Sequence, residues 1–173
     1  MTISVLTVDA SMRVNGSQSR ILTQKVAEKL GEAQAINLVQ RDLAHGIPHI
    51  TEAWIEANFT SESQRTPQQR SVLAFSDALV SELQAADVIV IGLPIYNFGA
   101  PAAFRAWIDL VCRAKLTFQY GDNGPQGLLR GKKAIVAVAS GGTQLGTDID
   151  FVTAHTRHVL GFIGIDDVTF VDA

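Results

Sequence analysis

The sequence predicts an α/β fold in which a parallel sheet carries helices on both faces. Three observations point there. Short apolar, β-branched runs alternate with longer segments of helical periodicity along the whole chain. The first run, Ile3 to Val8, is short, apolar and β-branched-rich, as a buried parallel strand should be. Polar, glycine-bearing loops fall at the carboxyl ends of those runs, where open α/β sheets place their ligands.

Ile3 to Val8 reads as the first strand, and a polar loop from Asp9 to Ser17 follows it. A helix from Gln18 to Leu30 presents Ile21, Leu22, Val26 and Leu30 on one stripe, and Gly31 suits the position just past a helix end. Ala35 to Val39 reads as the second strand. Gln40 to Gln64 is a proline-containing loop with a short helix near Glu52 to Phe59. Thr66 can cap the next helix. Pro67 fits its first turn, where a missing N–H costs nothing, and Gln69 completes a capping box, so this helix runs to about Gln84. Asp87 to Gly92 is the strongest strand and belongs at the centre of the sheet. Pro101 starts a helix that reaches about Arg113. Lys115 to Gly131 is a long glycine-rich excursion, and a connection of that length usually has a functional reason. Lys132 to Ala139 is the fourth strand and leads straight into Ser140-Gly141-Gly142. Asp150 to Leu160 is a helix and Val168 to Val171 the last strand. The chain then stops at Ala173, so the helix that would cover one face after that strand is expected to be missing.

At 173 residues, the chain fits one domain spanning 1–173. Hydrophobic residues make up 47% and charged residues 18%, the balance of a folded, soluble chain. A net charge of -3 argues against sequence-independent nucleic-acid binding, and no Lys/Arg block suits an anionic membrane. The first apolar run is too short, and lacks the basic lead, for a signal peptide, and nothing approaches the length of a membrane span. The single cysteine, Cys112, allows no internal disulfide and fits a cytoplasmic location. Its neighbours Trp107, Ile108, Leu110 and Val111 mark it as an inert core thiol.

Three loops carry the candidate site. Ser11 to Ser19 sets hydroxyls and a glycine at a helix N-terminus, where unpaired N–H groups and the helix dipole attract anions. Ser17 and Ser19 could donate to a phosphate there, or Ser17 could be a plain N-cap. Neither a dinucleotide-binding glycine fingerprint nor a P-loop is present. Pro94-Ile95-Tyr96-Asn97-Phe98-Gly99-Ala100-Pro101 offers apolar faces and backbone groups to a flat heterocycle, or is an ordinary strand-to-helix turn. Ser140-Gly141-Gly142-Thr143 lets a backbone approach a ligand closely, though alone it reads as a flexible turn. His45, His49, His155 and His158 show no metal-ligand spacing, so no metal is expected.

Taken together, Ser11, Ser17-Gln18-Ser19, Pro94-Ile95-Tyr96-Asn97-Phe98 and Gly141-Gly142 resemble the FMN-dependent NADH-azoreductase family of NAD(P)H quinone oxidoreductases. Leu116-Thr117-Phe118-Gln119-Tyr120, Asn123-Gly124-Pro125, Gly127-Leu128 and Leu160-Gly161-Phe162-Ile163-Gly164 extend the resemblance over essentially the whole chain. It implies a flavodoxin-like three-layer sandwich with a five-stranded parallel sheet of order 2-1-3-4-5. It also implies tightly but non-covalently bound FMN, NADH or NADPH as donor, and quinone or azo acceptors reduced by two-electron, ping-pong hydride transfer. No protein side chain is catalytic in that scheme, because the flavin carries the chemistry. Ser11 and Ser17 to Ser19 would hold the phosphate, and Pro94 to Phe98 the ribityl chain and one ring edge. Ala139, Ser140, Gly141 and Gly142 would face the pyrimidine edge, with the Gly141 and Gly142 N–H groups stabilising negative charge near N1. Tyr120 and Phe162 would line the substrate pocket at the interface of a homodimer. The chain departs from the family at Ala139-Ser140, where Ser-Arg is frequent, and at Gln144, where some members have histidine. The alternatives are a flavodoxin-type one-electron carrier and a truncated, non-catalytic module of the same fold. A signalling receiver is disfavoured, because Asp9 stands alone and Gly92-Leu93-Pro94 follows the third strand.

Overall fold

The three central strands of the sheet are largely buried, whereas the two outer ones are mostly exposed or half-buried. The computed structural model describes residues 2–172. In chain order these form β1 (Ile3–Asp9), α1 (Gln18–Ala33), β2 (Ile36–Asp42), α2 (Glu52–Phe59), α3 (Pro67–Ala85), β3 (Val88–Pro94) and α4 (Ala102–Val111). They continue with β4 (Phe118–Gly121), β5 (Gly124–Gly127), β6 (Lys133–Ala139), α5 (Phe151–Phe162) and β7 (Asp167–Asp172). Five strands make one parallel sheet of order β2-β1-β3-β6-β7, which is the order 2-1-3-4-5 counted over the sheet strands alone. The central strand is β3, where Ile89, Val90, Ile91 and Leu93 are fully buried.

The main core lies on the sheet face covered by α3, α4 and α5. Leu6, Val8, Ile89, Ile91, Val136 and Val138 pack there with Leu79, Leu83, Phe104 and Trp107. The other face is covered by α1, which approaches β3 at Gly92. A Cβ at Gly92 would stand 2.8 Å from Thr23 Cγ2 and 3.1 Å from the Ser19 carbonyl oxygen, so only glycine lets the helix come this close. The start of α3 follows its sequence signature: Gln69 N–H donates to Thr66 Oγ1 (3.2 Å) and Thr66 N–H to Gln69 Oε1 (3.0 Å).

Several boundaries differ from the sequence reading. Gly31 does not end α1. The helix continues through Glu32 to Ala33, both tolerant of helix, and the Gln34 N–H closes it on the Leu30 carbonyl. The fourth helix stops at Val111, short of Arg113. Thr117 Oγ1 donates to the Val111 carbonyl (2.7 Å) and accepts the Arg113 N–H (2.9 Å), satisfying the groups freed by the turn. The excursion after α4 contains an antiparallel hairpin, β4 with β5, pairing Phe118 with Gly127.

Arg113 ties the hairpin base to the helices. Its side chain is buried. Nε donates to Asn58 Oδ1 (2.7 Å), Nη1 reaches Asp77 (3.0 Å), and the guanidinium lies over the Trp54 ring. Burial lowers its pKa, against the pull of Asp77. Among the described residues no helix is long and apolar enough to cross a membrane.

Cys112 lies half-buried at the end of α4, and burial, reinforced by Asp109, pushes its thiol up to about 11. At pH 8 the thiolate is therefore scarce in the folded protein. Ellman's reagent should leave Cys112 unmodified over minutes at that pH and titrate one thiol once guanidinium unfolds the chain. Rapid labelling of the folded protein would contradict the burial.

Candidate functional site

Because β1, β3 and β6 are neighbours in the sheet, their carboxyl ends stand side by side and the three loops meet. The first loop leaves β1 with the Ala10 N–H donating to the Gly92 carbonyl (2.9 Å). The Ser11 hydroxyl accepts the Arg13 N–H (3.2 Å) and lies 3.4 Å from the Tyr96 hydroxyl. Ser17 occupies the N-cap position of α1, but its side chain makes no capping bond. Its hydroxyl pairs instead with that of Ser19 (3.2 Å), both side chains being buried. The plain N-cap alternative for Ser17 is thus not what forms. The first-turn N–H groups of α1 are left without a side-chain acceptor, the condition for an anion site at a helix start.

The second loop is a tight turn closed both ways: Tyr96 N–H donates to Gly99 O (2.9 Å) and Gly99 N–H to Tyr96 O (3.0 Å). Asn97 (φ 50°) and Phe98 (φ 67°) are both left-handed. Two such residues in succession mark a type I′ turn, whose usual sequence is Asn-Gly. A phenylalanine in that conformation costs about 1–2 kcal/mol, and strain of this kind collects at binding sites. The Phe98 ring is 55% exposed and the Tyr96 ring 39%, so the turn displays aromatic surface instead of burying it. The Ile95 N–H donates to the Ala139 carbonyl (2.9 Å), lacing this loop to the third.

In the third loop the Ser140 hydroxyl accepts the N–H groups of Gly142 (3.2 Å) and Thr143 (2.7 Å). The Gly142 N–H is therefore engaged within the protein, which corrects the expectation that both glycine N–H groups face a ligand; among the described residues that of Gly141 has no acceptor. Asp150 ends this loop by accepting the N–H groups of Gly146 (2.8 Å), Val152 (3.1 Å) and Thr153 (3.0 Å). Burial raises its pKa, but these bonds and that from the Thr153 hydroxyl outweigh burial and hold it below the usual range.

Together the loops bound a cleft of about 440 Å³ lined by Ser11, Arg13, Gly16, Ser17, Gln18, Ser19, Pro94, Ile95, Tyr96, Ala139, Ser140 and Gly141. Past Ile95, Ser140 and Gly141 it continues into a hollow of about 440 Å³ bounded by Asn97, Phe98, Gly142, Thr143 and Ile149. Every residue expected to contact a cofactor thus falls on one crevice. Tyr120 and Phe162 do not line it within this chain. Tyr120, on the hairpin, is 76% exposed and meets Phe118 edge-on (5.6 Å), and Phe118 packs on Phe162 (4.4 Å).

Arg13, Gly16 and Thr143, inside the candidate loops but given no role of their own there, also line the crevice; sequence reasoning missed Ile149 on its wall, and Asp9, Arg20 and Asp42 behind it. Arg20 grips Asp42 through both oxygens (2.6 and 2.8 Å), and Asp9 lies 3.9 Å away. The hydrogen bond with Asp42 raises the Arg20 pKa and lowers that of Asp42. The Asp9 carboxyl is pushed up by burial, against the Thr23 hydroxyl and Arg20. One signal was available: a cation in the first turn of a helix opposes the dipole and implies a local partner.

The chain matches the family described as having a flavodoxin-like fold over residues 4–173. It is 60% identical over 171 residues to FMN-dependent NADH:quinone oxidoreductase 1 of Colwellia psychrerythraea, covering 99% of this chain and 89% of that protein. It is also 60% identical over 169 residues to the protein of that name from Jannaschia sp., covering 98% and 86% of the two chains. Among solved structures, the azoreductase from Bacillus anthracis superposes with a TM-score of 0.86 at 24% identity, covering 98% of this chain and 86% of that one, a likeness of fold.

Proposed function

Since the chain belongs to the flavodoxin-like family of FMN-dependent NADH:quinone oxidoreductases, we propose that it works as one FMN-binding domain over 1–173, with the crevice above β1, β3 and β6 as its site. The observation that carries this is the uncapped start of α1. The Ser17 hydroxyl turns to Ser19 instead of capping the helix, so the first-turn N–H groups open onto a cleft that runs on beneath an exposed aromatic turn. One end of that crevice suits a phosphate and the other a flat ring.

The residues present fit FMN. Ser11, Ser17, Gln18 and Ser19 would hold the phosphate, Pro94 and Ile95 the ribityl chain, and Tyr96, Asn97 and Phe98 one edge of the ring. Ala139, Ser140 and Gly141 would meet the pyrimidine edge. There the Gly141 N–H, with no acceptor among the described residues, is the donor suited to a developing negative charge, and Gly142 shapes the wall. When bound, FMN would supply the hydride and electron-pair chemistry that links NADH or NADPH to a quinone or azo acceptor.

The row Phe162–Phe118–Tyr120 would form the acceptor wall across a homodimer. Neither Tyr120 nor Phe162 reaches the crevice of its own chain, and Tyr120 leaves most of its ring uncovered. Small-molecule acceptors, no nucleic acid and no membrane suit the mild net charge of -3, and a lone, half-buried cysteine suits the cytoplasm.

An anaerobic FMN titration followed by NADH tests the reading. Tight binding, bleaching of the flavin by NADH and recovery on adding a quinone are expected. Flavin that binds but is not bleached would favour a one-electron carrier, and failure to bind would overturn the cofactor assignment.

A further inference from the structure

We propose that Arg20, which lines no part of the crevice, is a positioning residue for the cofactor phosphate, shaping the first loop from behind. The inference rests on the FMN reading above. The Arg20 Nη2 donates to the Ser11 carbonyl (2.7 Å) and its Nε to the Arg13 carbonyl (3.1 Å). The Asp42 carboxylate holds the guanidinium in place from the end of β2, and the side chain is 15% exposed. Arg20 faces the hollow between α1 and β2, with Asp9, Thr23 and Leu38, whereas Ser11 and Arg13 line the crevice.

A trans peptide is planar, with its C=O and N–H pointing opposite ways. Drawing the carbonyls of residues 11 and 13 onto one guanidinium therefore turns the N–H groups of Met12 and Val14 away from Arg20. Among the described residues, neither N–H has an acceptor. Arg20 thereby fixes the backbone at Ser11 and Arg13, both on the crevice wall beside the uncapped first turn of α1. The rigid fork of arginine suits the task, since it can hold two carbonyls and a carboxylate at once, which a lysine ammonium cannot do in one geometry. Asp42 and Asp9 offset most of the charge, so Arg20 acts chiefly by fixing the loop.

Dissociation constants for FMN and for riboflavin, which lacks the phosphate, separate this role from general support of the fold. They should be measured for the unaltered protein, Arg20→Met, Arg20→Lys and Asp42→Asn, with a thermal melt of each variant without flavin. The unaltered protein should prefer FMN. Arg20→Met should weaken FMN roughly tenfold or more, the scale of hydrogen bonds to a charged group, and leave riboflavin unchanged. Arg20→Lys should recover part of the loss, and Asp42→Asn should shift FMN in the same direction. Equal losses of FMN and riboflavin in a folded variant, or an unchanged FMN preference, would overturn the role of Arg20 while leaving the FMN site standing. An unaltered protein that binds no FMN would instead remove the site on which the inference rests.

Discussion

Replacing Gly127 by alanine should destabilise the protein by about 3 kcal/mol or more, beyond the usual range for added bulk in a core. At Gly127 the end of the β4–β5 hairpin crosses the chain after α5 with no side chain between. An added Cβ would lie 2.5 Å from the Ile163 carbonyl carbon and closer still to the N and Cα of Gly164. These are backbone atoms, so no rotamer change relieves the overlap. The contact is fixed from the far side by the Leu129 N–H, which donates to the Ile163 carbonyl (2.9 Å). Gly164 is equally constrained: its φ is +99°, and its own Cβ would stand 2.9 Å from the Gly127 carbonyl carbon. For a chain of this size, 3 kcal/mol corresponds to a melting point lower by roughly 10 °C. Thermal melting checks this directly, and an unshifted melt would mean that the two segments do not touch. Because the hairpin carries Tyr120 and Phe118, the KM for quinone should rise as well.

The second large effect concerns the turn above the cleft. Changing Tyr96, Asn97 and Phe98 together to alanine should abolish FMN retention. The triple change removes two exposed aromatic rings and the Tyr96 hydroxyl 3.4 Å from Ser11. It also puts alanine at two left-handed positions, of which Asn97 was the better suited. Stacking of one flat heterocycle on one aromatic face contributes about 1–3 kcal/mol, so the loss of two should weaken FMN by on the order of a hundredfold. The variant should emerge colourless from a gel-filtration column that leaves the unaltered protein yellow. Full retention would remove this loop from the site.

The sheet was legible because its signal is local: Val88 to Ile91 can belong only to a buried strand, and Thr66-Pro67-Gln68-Gln69 spells out a helix start. The hairpin was not. Gly124-Pro125-Gln126-Gly127 has no β-branched or alternating pattern, and it becomes a strand because Gly127 is held against Gly164, a tertiary cause. Gly31 misled for the opposite reason, since a glycine two residues from a helix end is tolerated where Glu32 and Ala33 continue the helix. The three crevice loops stood out because hydroxyls, prolines and paired glycines at strand ends are locally unusual. The left-handed Phe98 was illegible, and for Arg20 the sequence signalled the need of a partner without identifying Asp42. The first has no sequence signature, and the Arg20–Asp42 pair joins distant positions that meet only because β2 lies beside β1.

The strand order also governs how the chain is made. The first strand is hydrogen-bonded on both sides, with Val5 opposite Leu38 on one flank and Val88 on the other. As the polypeptide leaves the ribosome, the β2 flank can be filled early. The other flank stays bare until Val88 to Pro94 has been translated, and β6 and β7 can add only after that. Through that interval a hydrophobic strand presents an open edge, the element most prone to pair with the wrong chain. Slow translation just upstream of Val88 should therefore lower the soluble yield more than the same delay placed after Ala139, when the sheet lacks only its outermost strand.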